Sequence, residues 1–501
     1  MKRLHSPHEA AQWLRTQVQG TLHTDSRRVR AGDGFIAWPG GVTDGRAYVD
    51  GALQQGATAC LVEQFGADAF AWHHNATDAI ATYDGLKAAS GPIAAAYYEQ
   101  PSQALDVVAI TGTNGKTSTA WWLAHALHQV GKRCAMVGTL GVGEVGQLEV
   151  TGMTTPDPVL LQARLRDMVQ AGVKACAIEA SSIDLAEHRL AGTQVRVGVF
   201  TNFTQDHLDY HGDMDHYWQA KLALFSWPGL QAAVVNVDDA QGADLAQQLS
   251  ARGDVQVWTV SCEATTQADI TARAIRHGAF GLCFEVVEGA GVESLDTHLV
   301  GHYNVSNVLG VIGCLRAMGY SLADAVQACR ALPAVPGRMQ TVTAVDAPLV
   351  VVDYAHTPDA VAHAVQALLP LAQSRGGELT CVLGCGGDRD ASKRPLMAAA
   401  AERYAHQVVL TSDNPRNEEP QTILNQMLAG MQHAQHAIVM TDRAQAIAHA
   451  VQHASQHDVV LVAGKGHEDY QDIAGVKHPF SDVQHAREAL LQRAAQGRAH
   501  V

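Results

Sequence analysis

The run Val107-Val108-Ala109-Ile110-Thr111-Gly112-Thr113-Asn114-Gly115-Lys116-Thr117-Ser118 constrains this chain more than any other stretch. An apolar, strand-forming segment enters a glycine-containing loop, and a helical pattern follows from Ser118 to Val130. Strand, loop and helix in that order make a phosphate loop, because loop N–H groups point at phosphate oxygens and the helix N-terminus adds a favourable dipole. Lys116 is placed to reach terminal phosphates and Thr117 to ligate magnesium. The usual motif carries glycine where this chain has Ile110, so Thr111, Gly112, Thr113, Asn114, Gly115, Lys116 and Thr117 form a variant of it.

With 501 residues, the chain has room for about three domains. A composition of 47% apolar and 17% charged residues suits a soluble globular protein with sizeable cores. The net charge of -15 argues against nucleic acid or an anionic membrane as partner, so anionic ligands need local basic pockets. The nine cysteines include no C-x-x-C pair, Cys381 and Cys385 being nearest, which suggests neither a zinc site nor a disulfide framework. The first residues lack an apolar stretch, and no run of about 18 apolar residues occurs, so a cytoplasmic location is expected. Most of the 26 histidines sit among Ala and Gln in helical patterns, as in Ile447 to His453, and read as solvated helix faces.

Three segments differ in texture. Residues 1–101 form a small α/β unit with the motif Thr24-Asp25-Ser26-Arg27, a Gly40-Gly41 turn and a strand-like Ala59 to Val62. Pro101-Ser102 marks its end. In residues 102–335 strands and helices alternate, with strands at Ala175 to Glu179, Val197 to Thr201 and Ala233 to Asn236. Beyond the break at Pro333 to Gly337, residues 336–501 repeat a βα rhythm. Its strands are Leu349 to Asp353, Leu379 to Leu383, Val408 to Thr411, Ala437 to Met440 and Val459 to Val462. The fold class is therefore α/β: a small N-terminal domain, a central phosphate-loop domain with a parallel sheet, and a C-terminal Rossmann-like parallel sheet. Ligands bind such sheets beyond the strands' C-terminal ends, where Asp353, Asp388, Asp413 and Lys465 fall.

These residues resemble one family. Thr111 to Thr117, Thr201 to Gly212 (Thr-Asn-Phe-Thr-Gln-Asp-His-Leu-Asp-Tyr-His-Gly) and Gly301-His302-Tyr303-Asn304-Val305-Ser306-Asn307 resemble the central domain of the Mur ligases. Pro336-Gly337-Arg338-Met339 and Asp353 to Asp359 resemble their C-terminal domain. Asp413-Asn414-Pro415-Arg416 narrows the likeness to the members that add the third residue of the peptidoglycan stem peptide. The resemblance implies an ATP-dependent carbon–nitrogen ligase of cytoplasmic cell-wall precursor synthesis, acting as a monomer without nucleic acid or membrane. ATP would phosphorylate the D-glutamyl side-chain carboxylate of UDP-N-acetylmuramoyl-L-alanyl-D-glutamate, and the amine of meso-diaminopimelate would displace the phosphate. Residues 1–101 would bind the UDP-sugar, 102–335 ATP, and 336–501 the amino acid.

The resemblance also assigns residues. Lys116, Glu179, His207 and Lys221 would be catalytic, with Thr117, Glu179, His207 and a carbamylated Lys221 holding magnesium. Thr111 to Thr117 would bind ATP with Asn304, Arg338 and Asp353, and ligands from two domains imply closure around it. Ser26, Thr154, Thr155, Ser181 and Arg189 would hold the UDP-muramoyl peptide, although Met153 and Ile183 depart from the family pattern beside them. Arg389, Asp413, Asn414, Pro415, Arg416, Gly464 and Glu468 would hold diaminopimelate. Arg416 suits the distal carboxylate as a bidentate partner, and Asn414 can add a hydrogen bond. Glu468 and the Gly464 carbonyl suit the distal ammonium, and Arg389 the other carboxylate. Lysine would leave Arg416 unpaired, a loss on the order of 1–3 kcal/mol or more.

Plainer readings of the same residues are a core histidine at His207, a surface lysine at Lys221, a helix cap at Asn304, and turns or caps at Ser26, Thr154, Thr155 and Asp413 to Arg416. Rival functions are a lysine-adding Mur ligase, a folylpolyglutamate synthetase and a regulatory phosphate-loop protein. ATP turnover that depends on an acceptor amino acid separates the ligases from the last.

Overall fold

Parallel strands that read as continuous apolar runs need cover on both faces, and the chain meets that need with separate helix-flanked sheets. The computed structural model describes residues 1–41, 43–72, 78–263, 266–277 and 281–499. By contact, the chain forms two compact units. The first is Met1–Arg273 with Glu285–Glu293 and Ser306–Cys329; the second is Ala274–Phe284, Ser294–Val305 and Arg330–Val501.

The first unit holds a five-stranded parallel sheet in the order Lys2–Leu4, Ile80–Tyr83, Ala59–Glu63, Gly34–Ala37, Leu22–His23. Helices Pro7–Gln17 and Leu86–Tyr97 bury Leu14, Ile93 and Ala94 against Ile36, Leu61 and Ala81. Ser6 starts the first of these helices by accepting from the Glu9 N–H. Pro101–Ala104 is a single 3-10 turn leading into the phosphate-loop strand.

That strand, Asp106–Thr111, lies between Ala175–Glu179 and Val197–Phe200, parallel to both. Cys134–Gly138 joins the far side of Ala175–Glu179 and carries the antiparallel Gly141–Glu144. Ala232–Asn236 and Gln256–Ser261 extend the other side in parallel. Val107, Ala109, Val137, Ile178, Phe200 and Val235 share one core.

In the second unit the sheet order is Gln340–Val342, Leu349–Asp353, Val459–Ala463, Leu379–Leu383, Gln407–Thr411, Ile438–Met440. Every neighbouring pair is parallel except the first. One face packs Val351, Leu383 and Leu461 beneath Val365, Leu368 and Met397; the other packs Val352, Val382 and Val462 beneath Ile447, Val451 and Leu490. A polar hairpin, Tyr470–Ile473 with Val476–Pro479, stands outside this sheet.

The α/β class is as the sequence predicts, and the strands fall within a residue or so of their expected positions. The phosphate-loop helix begins at Lys116, earlier than the apolar pattern indicates. Gly115, at a φ of 87°, turns the chain directly into it. All nine cysteines are free. No described helix is long and apolar enough to cross a membrane.

Candidate active site

The phosphate loop is pinned by the segment leaving the neighbouring strand. Thr113 N–H donates to the Asn202 carbonyl at 2.8 Å, and Asn114 N–H to Asn202 Oδ1 at 2.9 Å. Thr201 Oγ1 donates to the Asn114 carbonyl at 2.6 Å. Gly115 has no substitute here: a Cβ would stand 2.3 Å from Asn307 Oδ1. Two lysines converge on the Gly112 carbonyl. Lys116 Nζ donates to it at 2.9 Å and to Thr113 O at 2.7 Å, while Lys221 Nζ, on helix Met214–Leu222, donates to it at 2.8 Å. Lys221 is 1% exposed, with its nitrogen 4.3 Å from the centre of the Tyr217 ring. Burial, and then the charge of Lys116, hold its pKa well below the ordinary lysine value.

Thr117 Oγ1 donates to Glu179 Oε2 at 2.8 Å, on the buried end of the adjacent strand. Thr139 completes this carboxylate's surroundings, its N–H 2.8 Å from Oε1 and its hydroxyl 3.3 Å from Oε2. A hydroxyl beside a carboxylate is a hard oxygen pair of the kind magnesium prefers, so these residues fit that ion. His207 lies in the loop beyond, at a left-handed φ of 51°, its side chain 39% exposed and its ring centre 6.1 Å from that of Tyr217. It is no core histidine. Among the described residues no group of three or more His, Cys, Asp or Glu converges as a ready metal cage.

A second cluster adjoins Glu179. Thr155 Oγ1 donates to the Glu179 carbonyl at 2.6 Å, and Thr154 Oγ1 lies 3.4 Å from Thr139 Oγ1. Ser181 and Asp184 form a reciprocal capping box at helix Ser182–Ala186. Arg189 donates to Asp184 Oδ1 at 2.7 Å and to the Thr155 carbonyl at 3.2 Å. Burial raises the Asp184 pKa against the opposing pull of Ser181 and Arg189. Ser26 begins the turn Ser26–Arg28, which Asp25 caps. Thr24, just before that turn, hydrogen-bonds the side chain of Asp157, which caps helix Pro158–Gln170.

In the second unit, Asp353 accepts from Met339 N–H at 2.7 Å and Ala355 N–H at 2.9 Å. Burial raises its pKa, and the Arg338 charge opposes that. The Arg338 guanidinium lies 4.5 Å from the centre of the Tyr354 ring, which also packs on His356 and His467. Asn304, the second residue of helix Tyr303–Ala317, donates from Nδ2 to the Val300 carbonyl at 2.7 Å.

The Asp413 to Arg416 loop follows strand Gln407–Thr411. Arg416, at a left-handed φ of 50°, bonds through its N–H to Asp472 O at 2.9 Å and through its carbonyl to Ala474 N–H at 2.7 Å. Its Nη1 reaches the Gly387 carbonyl at 2.6 Å. Asn414 makes three side-chain bonds: Nδ2 donates to Glu468 Oε2 at 2.8 Å, and Oδ1 accepts from Lys465 Nζ and Asp472 N–H, both at 2.9 Å. Gly464, at a φ of 115°, must be glycine, since a Cβ would lie 2.7 Å from Asp413 Oδ2. Pro415 is buried and Arg389 exposed.

The family models agree with this layout: the Mur ligase middle domain matches residues 110–315, and the Mur ligase glutamate ligase domain matches residues 337–466. The chain belongs to the Mur ligase family. Mur ligases are ATP-dependent enzymes that form amide bonds, and so is this one. A relative from Acidovorax sp. (strain JS42) is 57% identical over 97% of both chains. One from Janthinobacterium sp. (strain Marseille) is 49% identical over 97% of both. Each is called UDP-N-acetylmuramoyl-L-alanyl-D-glutamate–2,6-diaminopimelate ligase. A solved structure of an enzyme with that name aligns with a TM-score of 0.67 at 34% identity, covering 95% of each chain.

Several residues packed around these positions were not expected from the sequence. Thr139 sits just beyond strand Cys134–Gly138, and its signal was the rule that polar residues at parallel strand ends face ligands. Asn202 lies inside the Thr201 to Gly212 motif, and Tyr217 lies one helical turn before Lys221. Arg394, 1% exposed and paired at 2.7 and 2.8 Å with both oxygens of Glu418, carried no sequence signal.

Proposed function

We propose that this Mur ligase joins meso-diaminopimelate to the D-glutamyl side-chain carboxylate of UDP-N-acetylmuramoyl-L-alanyl-D-glutamate, with ATP as the driving co-substrate. The observation that supports the reading is the Asp413 to Arg416 loop, which carries a carboxylate and a guanidinium, and whose Asn414 donates to the Glu468 carboxylate while Arg416 Nη1 donates to the Gly387 carbonyl. That charge pattern complements an amino acid whose distal end bears both a carboxylate and an ammonium.

The carboxylate oxygen of the D-glutamyl residue takes the γ-phosphoryl group and ADP leaves. The amine nitrogen then attacks the acyl carbon, the carbon–oxygen bond to phosphate breaks, and phosphate departs with the electron pair while the nitrogen sheds a proton. Lys116 neutralises phosphate charge from the loop that Thr111 to Thr117 form. Thr117, Glu179, His207 and carbamylated Lys221 are the residues proposed to hold magnesium, which when bound offsets repulsion between carboxylate and phosphates. The buried amine of Lys221 supports its modification: the neutral nitrogen adds to carbon dioxide, one proton leaves, and a carbamate carboxylate replaces the amine.

Asn304, Arg338 and Asp353 are the further nucleotide residues in this proposal. Ser26, Thr154, Thr155, Ser181 and Arg189 hold the UDP-muramoyl peptide. Arg389, Asp413, Asn414, Pro415, Arg416, Gly464 and Glu468 hold diaminopimelate. Residues 1–101, 102–335 and 336–501 divide these tasks as UDP-sugar, ATP and amino-acid domains. A monomer in the reducing cytoplasm is the proposed setting, one that suits nine free cysteines.

Phosphate release with ATP, magnesium and the UDP-muramoyl dipeptide tests the reading. Release with meso-diaminopimelate and little with L-lysine is expected. Equal rates with both would overturn the Arg416 argument, and no release with either would overturn the reaction.

A further inference from the structure

Lys465 has no task in the reaction just described, yet it is wholly buried at the heart of the amino-acid residues. It follows strand Val459–Ala463. Its Nζ lies 2.9 Å from Asn414 Oδ1, 2.9 Å from Glu468 Oε2 and 3.5 Å from Asp413 Oδ1. The Tyr470 ring, with its centre at 5.5 Å, also faces the ammonium. Lys477 Nζ lies 4.0 Å from the centre of the same ring, and Arg443, another nearby cation, already has its charge matched, since it forms two 2.7 Å bonds to Asp482 and both side chains are fully buried.

Asp413 and Glu468 are therefore two carboxylates sharing one lysine. Both the Lys465 and the Asn414 bonds fall on Glu468 Oε2, and no hydrogen bond to Oε1 is made among the described residues. We infer that Lys465 is a specificity-setting positioning residue: it cancels one of these two charges and orients Glu468 and Asn414, leaving the single negative charge that fits one distal ammonium. The inference rests on the amino-acid assignment proposed above. Without Lys465 the pocket would hold two negative charges around one substrate cation, and a carboxylate left without a partner in a buried setting is strongly unfavourable. Lys465 also fixes Asn414, whose Oδ1 accepts from Asp472 N–H in the hairpin that binds the Arg416 backbone. One buried ammonium thus ties the acidic half of the pocket to the basic half.

The test compares wild type with Lys465→Met, which keeps the volume without the charge, and Lys465→Ala, which leaves space. Each is assayed for kcat and for KM toward diaminopimelate and toward ATP. For Lys465→Met, a rise of at least about ten-fold in the diaminopimelate KM is expected, with the ATP KM within about two-fold of wild type. Propylammonium should lower the raised KM of Lys465→Ala and leave Lys465→Met unmoved, because only the alanine variant can admit it. A folded Lys465→Met enzyme with an unchanged diaminopimelate KM would overturn the inference, as would equal rises in both KM values without rescue. Should Lys465→Met fail to fold, Lys465→Ala assayed with propylammonium carries the test: recovery of diaminopimelate use is expected, and a folded alanine variant that propylammonium does not rescue would count against charge matching. If wild type itself does not use diaminopimelate, it is the parent assignment that fails.

Discussion

At Lys221 the same side chain that a sequence leaves open as a surface lysine is buried on the Gly112 carbonyl beside Lys116. Desolvation and a like charge both favour the neutral amine, the form that reacts with carbon dioxide. Lys221→Ala should lower kcat by at least about a hundred-fold, with short carboxylates such as acetate restoring part of it. Full activity without any added acid would rule out a carboxylate role. Arg416 makes the complementary case, since its guanidinium is the cation proposed for the distal carboxylate. Arg416→Ala should weaken use of diaminopimelate by roughly 1–3 kcal/mol in kcat/KM and leave ATP binding nearly unchanged. Steady-state kinetics with each substrate varied in turn checks it. Lys116 and Thr117 were legible because their motif is local. The burial of Lys221 and Lys465 was not, because a lone lysine in a helix or after a strand looks the same whether it faces water or a carbonyl.

The strands could be read element by element, since Leu349–Asp353 and Leu379–Leu383 are apolar runs with both faces covered. The hairpin at Tyr470–Pro479 could not. It is polar, has no sheet to cover it, and gains its role from backbone bonds to Arg416. A turn signal was present, as Ala474 and Gly475 take φ values of 52° and 77° between the paired Ile473 and Val476. The phosphate loop shows an element fixed by one residue. Gly115→Ala would place a Cβ 2.3 Å from Asn307 Oδ1 at a φ of 87°, a strain of about 1–3 kcal/mol before the clash is counted. ATP binding should fall by at least about ten-fold, while the melting temperature drops only modestly. Calorimetric titration and thermal unfolding on one sample measure both, and undiminished ATP affinity would contradict the loop's role.

Across the whole molecule, buried and paired groups link stability to pH in both directions. The Arg394 guanidinium holds Glu418 down from 4.5 to about 2, and burial followed by the Arg338 charge holds His467 down from 6.5 to about 4. In both cases the unfolded chain takes up the proton first as pH falls. The stability each contributes is therefore complete above its unfolded pKa: that of His467 drains between pH 6.5 and about 4, and that of Glu418 between pH 4.5 and about 2. Asp157, Asp184 and Asp353 run the other way, because burial raises their pKa values. Comparison with single variants separates the two sets. The stability gap between wild type and His467→Gln should shift against wild type from pH 7 to pH 5, and that between wild type and Glu418→Gln only below about pH 4.5. Urea unfolding across that range tests it, and a pH-independent gap would show that the environment of His467 is not desolvated.

The sequence by itself determined the α/β class, the order of the strands along the chain, the phosphate loop and the motifs that place it among the Mur ligases. Those features are written in local periodicity and in contiguous residues. Tertiary structure alone decided which side chains lost their water. Lys221 became a buried amine, Lys465 a buried lysine between two carboxylates, Asn414 a hub of three side-chain bonds and Arg416 a left-handed residue held by a distant hairpin. Desolvation and hydrogen-bond completion depend on partners 50 or more positions away, as in the |i−j| of 109 between Lys221 and Gly112. No local pattern encodes them.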